Sequence, residues 1–409
     1  MIRFQEFLKE NFPAFHNTAQ CWVLNPFSVI YHLQGKSEKG AVLFLSHYDV
    51  VPAEKDKWSF DPFGAQIKDD FIYGRGAIDM KSTLICIIEA AENLCAQGWK
   101  PQKDIWFSFG GDEERGGSMG AKEAAAWFKQ RNQKFDWIID EGPPIAENYI
   151  PGIDSCFALI GIEEKGYLSL NLTVEQEPGH ASKPPKIQAA AILAKALVKI
   201  GKKSFPYKLR PVVEIFFKEI SKKMTGIKSF ALRHARLLGP LFFKMTEFYP
   251  VIQPMLKTTI AMTILEGSAA DNVMPSKVNA VINMRLLYPW TTQTAADFIK
   301  KTINDKRVKI SMYETEANPI SANNHSRQGW LEIEKALNEV YPDVTILPFI
   351  MTAITDSRHY KDLTNSILRF NPQKLTSREL NRMHGHDERI SIENLNRELL
   401  FYTNLMRLL

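Results

Sequence analysis

Residues 41 to 97 narrow the possible fold more than any other part of the chain. The run Ala41 to Leu45 is wholly apolar, which suits a strand covered on both faces of a sheet. It leads into His47 and Asp49. A glycine turn, Gly74-Arg75-Gly76, then delivers Asp79 to the start of a helical pattern that runs from Ser82 to Gln97 and stops at Gly98. An imidazole and a carboxylate, each at the end of a buried segment, suit a metal site.

The alternation of strand and helix continues. Asp104 to Phe109 reads as a strand followed by Gly110-Gly111-Asp112-Glu113-Glu114, Ala121 to Lys129 as a helix, and Trp137 to Ile139 as a short strand ending at Asp140-Glu141-Gly142. This order implies an α/β fold with helices on both faces of a sheet. Each polar cluster falls where a strand hands over to a loop, the place where open α/β sheets carry their sites.

The pattern changes after about Glu163. Lys165 to Val174 alternates apolar and polar residues, as a strand with one wetted face does. A helix over Ile187 to Ile200, a strand over Val278 to Leu286, a helix over Thr292 to Asn304 and a strand over Val308 to Tyr313 complete a smaller α+β domain. The expected division is a catalytic α/β domain from residues 1–162 and 317–409, interrupted by an inserted domain at 163–316. Within the insert, residues 202–257 are rich in Phe, Leu and Lys and read as several amphipathic helices. Packing onto the small domain, a dimer interface, a wall for an apolar substrate and a membrane-surface contact all fit that composition.

A chain of 409 residues has room for two domains. The net charge of +5, with Lys and Arg spread along the chain, points to a solvated surface rather than to nucleic acid. Cys21, Cys86, Cys95 and Cys156 show no CxxC spacing and are expected to be reduced thiols. No apolar stretch is long enough to span a membrane, and the N-terminal residues lack the apolar core of a signal peptide. A cytoplasmic location is therefore expected.

Five loop positions gather the chemistry: His47/Asp49, Asp79, Glu113/Glu114, Asp140/Glu141 and His384/His386. Taken singly, each has an ordinary explanation; Asp79 after its glycine turn could be a helix cap, and a Glu-Glu pair is commonly a solvated loop. Together they match what two metal ions sharing one carboxylate need, with a residue to spare. Of an adjacent Glu-Glu pair, one can ligate while the other remains a general base. Asp49 is placed to accept the second ring N–H of His47 and so hold its tautomer.

These residues resemble the aminoacylase and carboxypeptidase S group of co-catalytic zinc metallopeptidases and amidohydrolases. The resemblance rests on SHYDVVP (46–52), YGRGAIDMK (73–81), GGDEERGG (110–117), DEG (140–142), GHASKPP (179–185), DNVMPSKVNAVINMR (271–285), TDSRHY (355–360) and MHG (383–385), in the family's order. GHASKPP, TDSRHY and the helical insert look most like the branch containing carboxypeptidase S and the N-fatty-acyl-amino acid hydrolases. The resemblance implies a mixed sheet flanked by helices with an inserted lid or dimerisation domain, and two zinc ions per subunit, replaceable by cobalt or manganese. It assigns His47 to one zinc, Asp79 as the bridge, and Glu114 and His384 to the second. Asp140 would complete the first site, with Glu141 as the alternative. Glu113 would be the general base and Asp49 the partner of His47. The Asp79–Met80 peptide bond is expected to be cis.

In the inserted domain, the resemblance brings His180 to the reacting carbonyl, often that of the partner subunit in a homodimer, and Asn272 and Arg285 to the substrate. Arg285 and Arg358 are its candidates for holding a substrate carboxylate through a two-pronged hydrogen bond. The expected reaction is hydrolysis of an amide bond in an N-acyl amino acid or short peptide. A dipeptidase or a biosynthetic deacylase is the alternative within the same superfamily. A catalytically silent binding protein would be expected to have lost a ligand or the base, and none is lost here.

Overall fold

Alternation along two neighbouring strands sets up both faces of the main sheet. In the strand Ala41–His47, Val42 and Phe44 point into one apolar core and Leu43 and Leu45 into another. In Asp104–Gly110, Ile105, Phe107 and Phe109 join the first core and Trp106 the second. Both strands are thus covered on both sides, as their near-continuous apolar runs anticipate. The computed structural model describes residues 2–37, 40–147, 153, 155–246, 252–321 and 328–409.

The chain forms two compact units. The first comprises Met1–Ile162, Ala322–Met351 and Thr355–Leu409, and the second comprises Glu163–Ser321 and Thr352–Ile354. In the first, Ala41–His47 lies parallel to Asp104–Gly110 on one side and to Trp137–Asp140 on the other; Ile367–Arg369 continues the parallel run. The hairpin Gln20–Asn25/Ser28–Leu33 adds antiparallel strands beside Asp104–Gly110, and Cys156–Glu164 pairs antiparallel with Ile367–Arg369. The result is a mixed sheet flanked by helices.

The helix Lys81–Ala96 buries Leu84, Ile87, Ile88, Ala91 and Leu94, a stripe at helical spacing, beside the C-terminal helix Ile392–Arg407. Burial of each large apolar side chain contributes about 1.5–3 kcal/mol. On the opposite face, Ala121–Gln130 packs Ala121, Ala124, Ala125 and Phe128 against Leu43, Leu45 and Ile138. The register pairs His47 with Gly110. His47, the Glu113–Glu114 loop and the Asp140–Glu141 corner therefore leave the sheet at the same carboxyl edge.

The second unit has a four-stranded antiparallel sheet in the order Thr259–Glu266, Lys277–Leu286, Gly166–Glu175, Lys309–Ala317. Leu168, Leu170, Leu172 and Val174 alternate toward a core shared with Ala280, Ile282, Met284 and Leu286. The helices Ala189–Lys202 and Thr292–Ile303 cover that face with Leu193, Ala196, Ile200, Ala295, Ile299 and Ile303. The amphipathic segment forms the helices Pro211–Ser221, Gly226–Arg233, Ala235–Leu238, Pro240–Thr246 and Gln253–Leu256. No helix among the described residues is long and apolar enough to cross a membrane. All four cysteines are free thiols.

Candidate metal centre

Asp79 stands between two imidazoles. Its Oδ1 lies 3.1 Å from His47 Nε2, and its Oδ2 lies 2.9 Å from His384 Nε2. The local fold explains how a residue before a helix reaches this position. Gly76 takes φ +85°, where a side chain would be strained, and a Cβ there would meet Val50 Cγ1 at 2.6 Å. Lys81 N–H donates back to Gly76 O at 3.0 Å, and the Asp79–Met80 bond is cis.

Around Asp79 the donors form two groups. His47, Glu113 and Glu141 make one, and Asp79, Glu114 and His384 the other; within each, one donor atom per residue lies within 4.8 Å of the others. Glu141 Oε2 is 3.8 Å from His47 Nε2, and Glu114 Oε1 is 3.4 Å from His384 Nε2. His384, at the end of its loop, is half exposed and adopts φ +59°, an uncommon conformation for a non-glycine residue.

Asp140 is buried, but its carboxylate faces the protein. Its Oδ1 accepts from Glu141 N–H at 2.9 Å and its Oδ2 from Ser357 N–H at 2.8 Å. The carboxylate in the donor group at this corner is that of Glu141. The two residues are consecutive at a strand end, so their side chains diverge, and the amide of Ser357 decides which one turns inward.

Asp49 holds more than His47. Its Oδ1 is 3.3 Å from His47 Nδ1, while its two oxygens accept the backbone N–H groups of Glu113 and Glu114, each at 3.1 Å. One carboxylate thereby sets an imidazole and the loop with both glutamates. Asp112 secures the other end of that loop, accepting from Met119 N–H and Gly120 N–H, each at 2.8 Å.

The electrostatics suit a cation. Burial opposes protonation of His47, but Glu141 and hydrogen bonds to Asp49 and Asp79 outweigh it and hold the imidazole well above its ordinary pKa. Hydrogen bonds to Asp79 and Glu114 hold His384 up to about 10. Burial raises Glu113 well above the carboxylate range, and the neighbouring Glu141 adds to the shift. Glu141 is raised by burial and by Asp79. Carboxylates crowded in low dielectric repel one another, and imidazole nitrogen with carboxylate oxygen is a donor set that divalent metals accept. Two candidate metal sites therefore share the edge of the sheet.

Arg75 and Glu388 support the centre and had no role from sequence. Glu388, fully buried, accepts from Arg75 Nη1 at 2.6 Å and from the N–H groups of Ile78 and Asp79 at 2.8 and 3.2 Å. Arg75 Nη2 donates to Gly385 O at 2.9 Å. Their sequence signal was present in the glycine-flanked arginine and in a glutamate four residues after His384.

Arg358 Nη2 donates to Gly116 O at 2.7 Å, so part of its guanidinium serves the loop that follows the glutamates. In the second unit, His180 is exposed and pairs with Val273 in a two-stranded ribbon, and Ala181 N–H donates to Asn272 O at 3.0 Å. His180 and Asn272 are thus neighbours through the backbone. Arg285 lies over the Tyr167 ring at 4.7 Å, and burial lowers its pKa.

Comparison with known proteins agrees with this architecture. The model of Peptidase family M20/M25/M40 matches residues 43–408. The chain is 34% identical over 410 residues to probable carboxypeptidase S-like 2 of Dictyostelium discoideum, covering 99% of this chain and 79% of that protein. It is 32% identical over 409 residues to the N-fatty-acyl-amino acid synthase/hydrolase PM20D1 of Xenopus tropicalis, covering 99% and 80%. Among solved structures, an M20 family metallo-carboxypeptidase from Sulfolobus solfataricus superimposes with TM-score 0.73 at 18% identity, covering 99% of this chain and 93% of that one. Human carnosine dipeptidase 1 superimposes with TM-score 0.70 at 18% identity, covering 99% and 89%. The chain belongs to peptidase family M20/M25/M40 and is a hydrolase of amide or peptide bonds.

Proposed function

We propose that the protein hydrolyses the amide bond of N-acyl amino acids with apolar acyl groups, using two zinc ions. The observation that carries the reading is Asp79, whose two oxygens each face one imidazole, as a carboxylate shared between two ions would. In this reading His47, Asp79 and Glu141 hold one ion, and Asp79, Glu114 and His384 hold the other. Nitrogen and carboxylate donors suit zinc, with cobalt or manganese as substitutes. When bound, the ions would lower the pKa of a water toward about 7 and polarise the amide carbonyl.

The chain's own residues do the rest. Glu113, beside His47 and Glu141, receives the proton of the attacking water and returns it to the leaving amine. Asp49 keeps Glu113 in place through the backbone and His47 through its ring. His180, Asn272 and Arg285 are assigned to the substrate by the resemblance, His180 toward the developing oxyanion, and Arg358 together with Arg285 to its carboxylate.

The acyl preference draws support from the relatives named N-fatty-acyl-amino acid synthase/hydrolase and from the aromatic and aliphatic composition of residues 202–257. The relatives named carboxypeptidase S-like favour a second reading, release of the C-terminal residue of a short peptide. A hydrolysis screen with zinc, cobalt or manganese decides between them. Turnover rising from acetyl to long-chain acyl amino acids is the expected result; a preference for dipeptides with no gain from acyl length would favour the second reading.

A further inference from the structure

The helical segment in the second unit has two features that amide hydrolysis does not use. Its inward side chains, among them Phe216, Phe217, Ile220, Ala231, Ala235 and Phe242, are buried. Its outward ones are also apolar: Ile227 is 81% exposed, Phe230 54%, Leu237 81% and Leu241 59%. Ile227 and Phe230 share one face of Gly226–Arg233 by their three-residue spacing, as do Leu241 and Met245 on Pro240–Thr246 by a spacing of four. Large apolar side chains concentrated on consecutive short helices mark an interaction surface.

The charge on the same stretch is one-sided. From Ile220 to Thr246 there is no Asp or Glu, while Lys222, Lys223, Lys228, Arg233, Arg236 and Lys244 are all exposed. These six cations exceed the +5 of the whole chain, so all remaining residues together are net −1. The basic excess is shared with residues 178–213, which hold eight Lys or Arg and likewise no Asp or Glu. Two of the cations are partly offset by neighbouring carboxylates, Arg236 by Glu214 at 2.8 Å and Lys222 by Glu219 at 2.7 Å.

We propose that residues 220–246 dock on the surface of an anionic lipid bilayer. The exposed Ile, Phe and Leu side chains would enter the headgroup boundary, and the cations would extend their alkyl stems along it toward lipid phosphates. Charge complementarity selects this occupant over a second copy of the chain, because a two-fold contact through this face would set the same cations against one another. The proposal is independent of the substrate reading, since docking is measured without turnover.

The test is flotation of the full chain with vesicles of phosphatidylcholine alone or mixed with phosphatidylglycerol. The expected result is binding on the order of tenfold tighter to the anionic vesicles, weakened by salt as the Debye length falls toward about 3 Å at 1 M. Ile227→Glu with Leu237→Glu, and separately Lys228→Glu with Arg233→Glu, should each abolish that preference. Ile67→Glu, exposed in the other unit, should leave it unchanged. All these side chains are exposed, so thermal unfolding checks that the variants remain folded. Equal binding to both vesicles, no binding to either, or a dimer in sedimentation that Leu237→Glu disperses while vesicle binding persists unchanged would each overturn the proposal.

Discussion

Arg75 and Glu388, 313 positions apart in sequence, form a buried ion pair at 2.6 Å that reaches both ends of one candidate metal site. Glu388 accepts the amide of Asp79, and Arg75 donates to the carbonyl beside His384. The pair therefore fixes the spacing between a carboxylate and an imidazole through their backbones, before any ion adds its own bonds.

Glu388→Gln keeps the shape and removes the charge. Leaving Arg75 buried and unpaired should cost about 3–5 kcal/mol of stability. Loss of the support behind Asp79 and His384 should also weaken metal affinity about 10–100-fold at their site. Competition with a chelator reads the affinity and denaturant unfolding the stability. Destabilisation with unchanged affinity would reduce the pair to a purely structural role.

Glu113→Gln should retain both ions by elemental analysis and lose roughly 10²–10⁴ in turnover, the usual range for removing a general base. Full turnover in that variant, or loss of an ion with it, would refute the proton-transfer role.

The corner after Trp137–Asp140 separates two kinds of effect. Glu141→Ala should lower the affinity of the site shared with His47 while leaving stability nearly unchanged. Asp140→Ala should instead leave two amides, the buried one of Ser357 and the part-buried one of Glu141, without their acceptor, at about 1–3 kcal/mol for the buried one. Equal losses of metal affinity in the two variants would contradict this division.

Glu398 lies fully buried behind Lys81–Ala96, accepting from Thr83 Oγ1 at 2.5 Å and from Gln373 Nε2 at 3.1 Å. Burial pushes its pKa from 4.5 up to about 7. Between those values the folded state keeps a proton that the unfolded chain has released, so stability falls as pH rises, by about 3 kcal/mol at roughly 1.4 kcal/mol per unit. The loss begins above about pH 4.5 and is complete above about pH 7. Glu398→Gln should flatten that slope in denaturant unfolding measured across the window; an unaltered slope would assign it to other groups.

The α/β character, the inserted α+β sheet and the order of the polar clusters were all legible in the sequence because they depend on local periodicity. Leu168, Leu170 and Leu172 advertise a half-covered strand wherever they are placed. The hairpin Gln20–Asn25/Ser28–Leu33 carried a weaker signal, because Gln20–Asn25 has no fully buried residue and only Trp22 and Leu24 of it pack on the second core. Arg75 and Glu388 carried only separate signals, a glycine-flanked arginine and a glutamate four residues after His384, and an ion pair across the chain leaves no spacing that joins them.

By itself, the sequence determined which residue types stand at the strand ends and loops: His47, Asp79, the Glu113–Glu114 pair, the Asp140–Glu141 pair and His384. Only the tertiary structure decided which oxygens turn toward one another. Asp140 and Glu141 differ by one position, and the choice between them depends on the amide of Ser357, 217 residues away. A backbone N–H delivered from so far along the chain is a long-range contact, and local pattern carries no information about it.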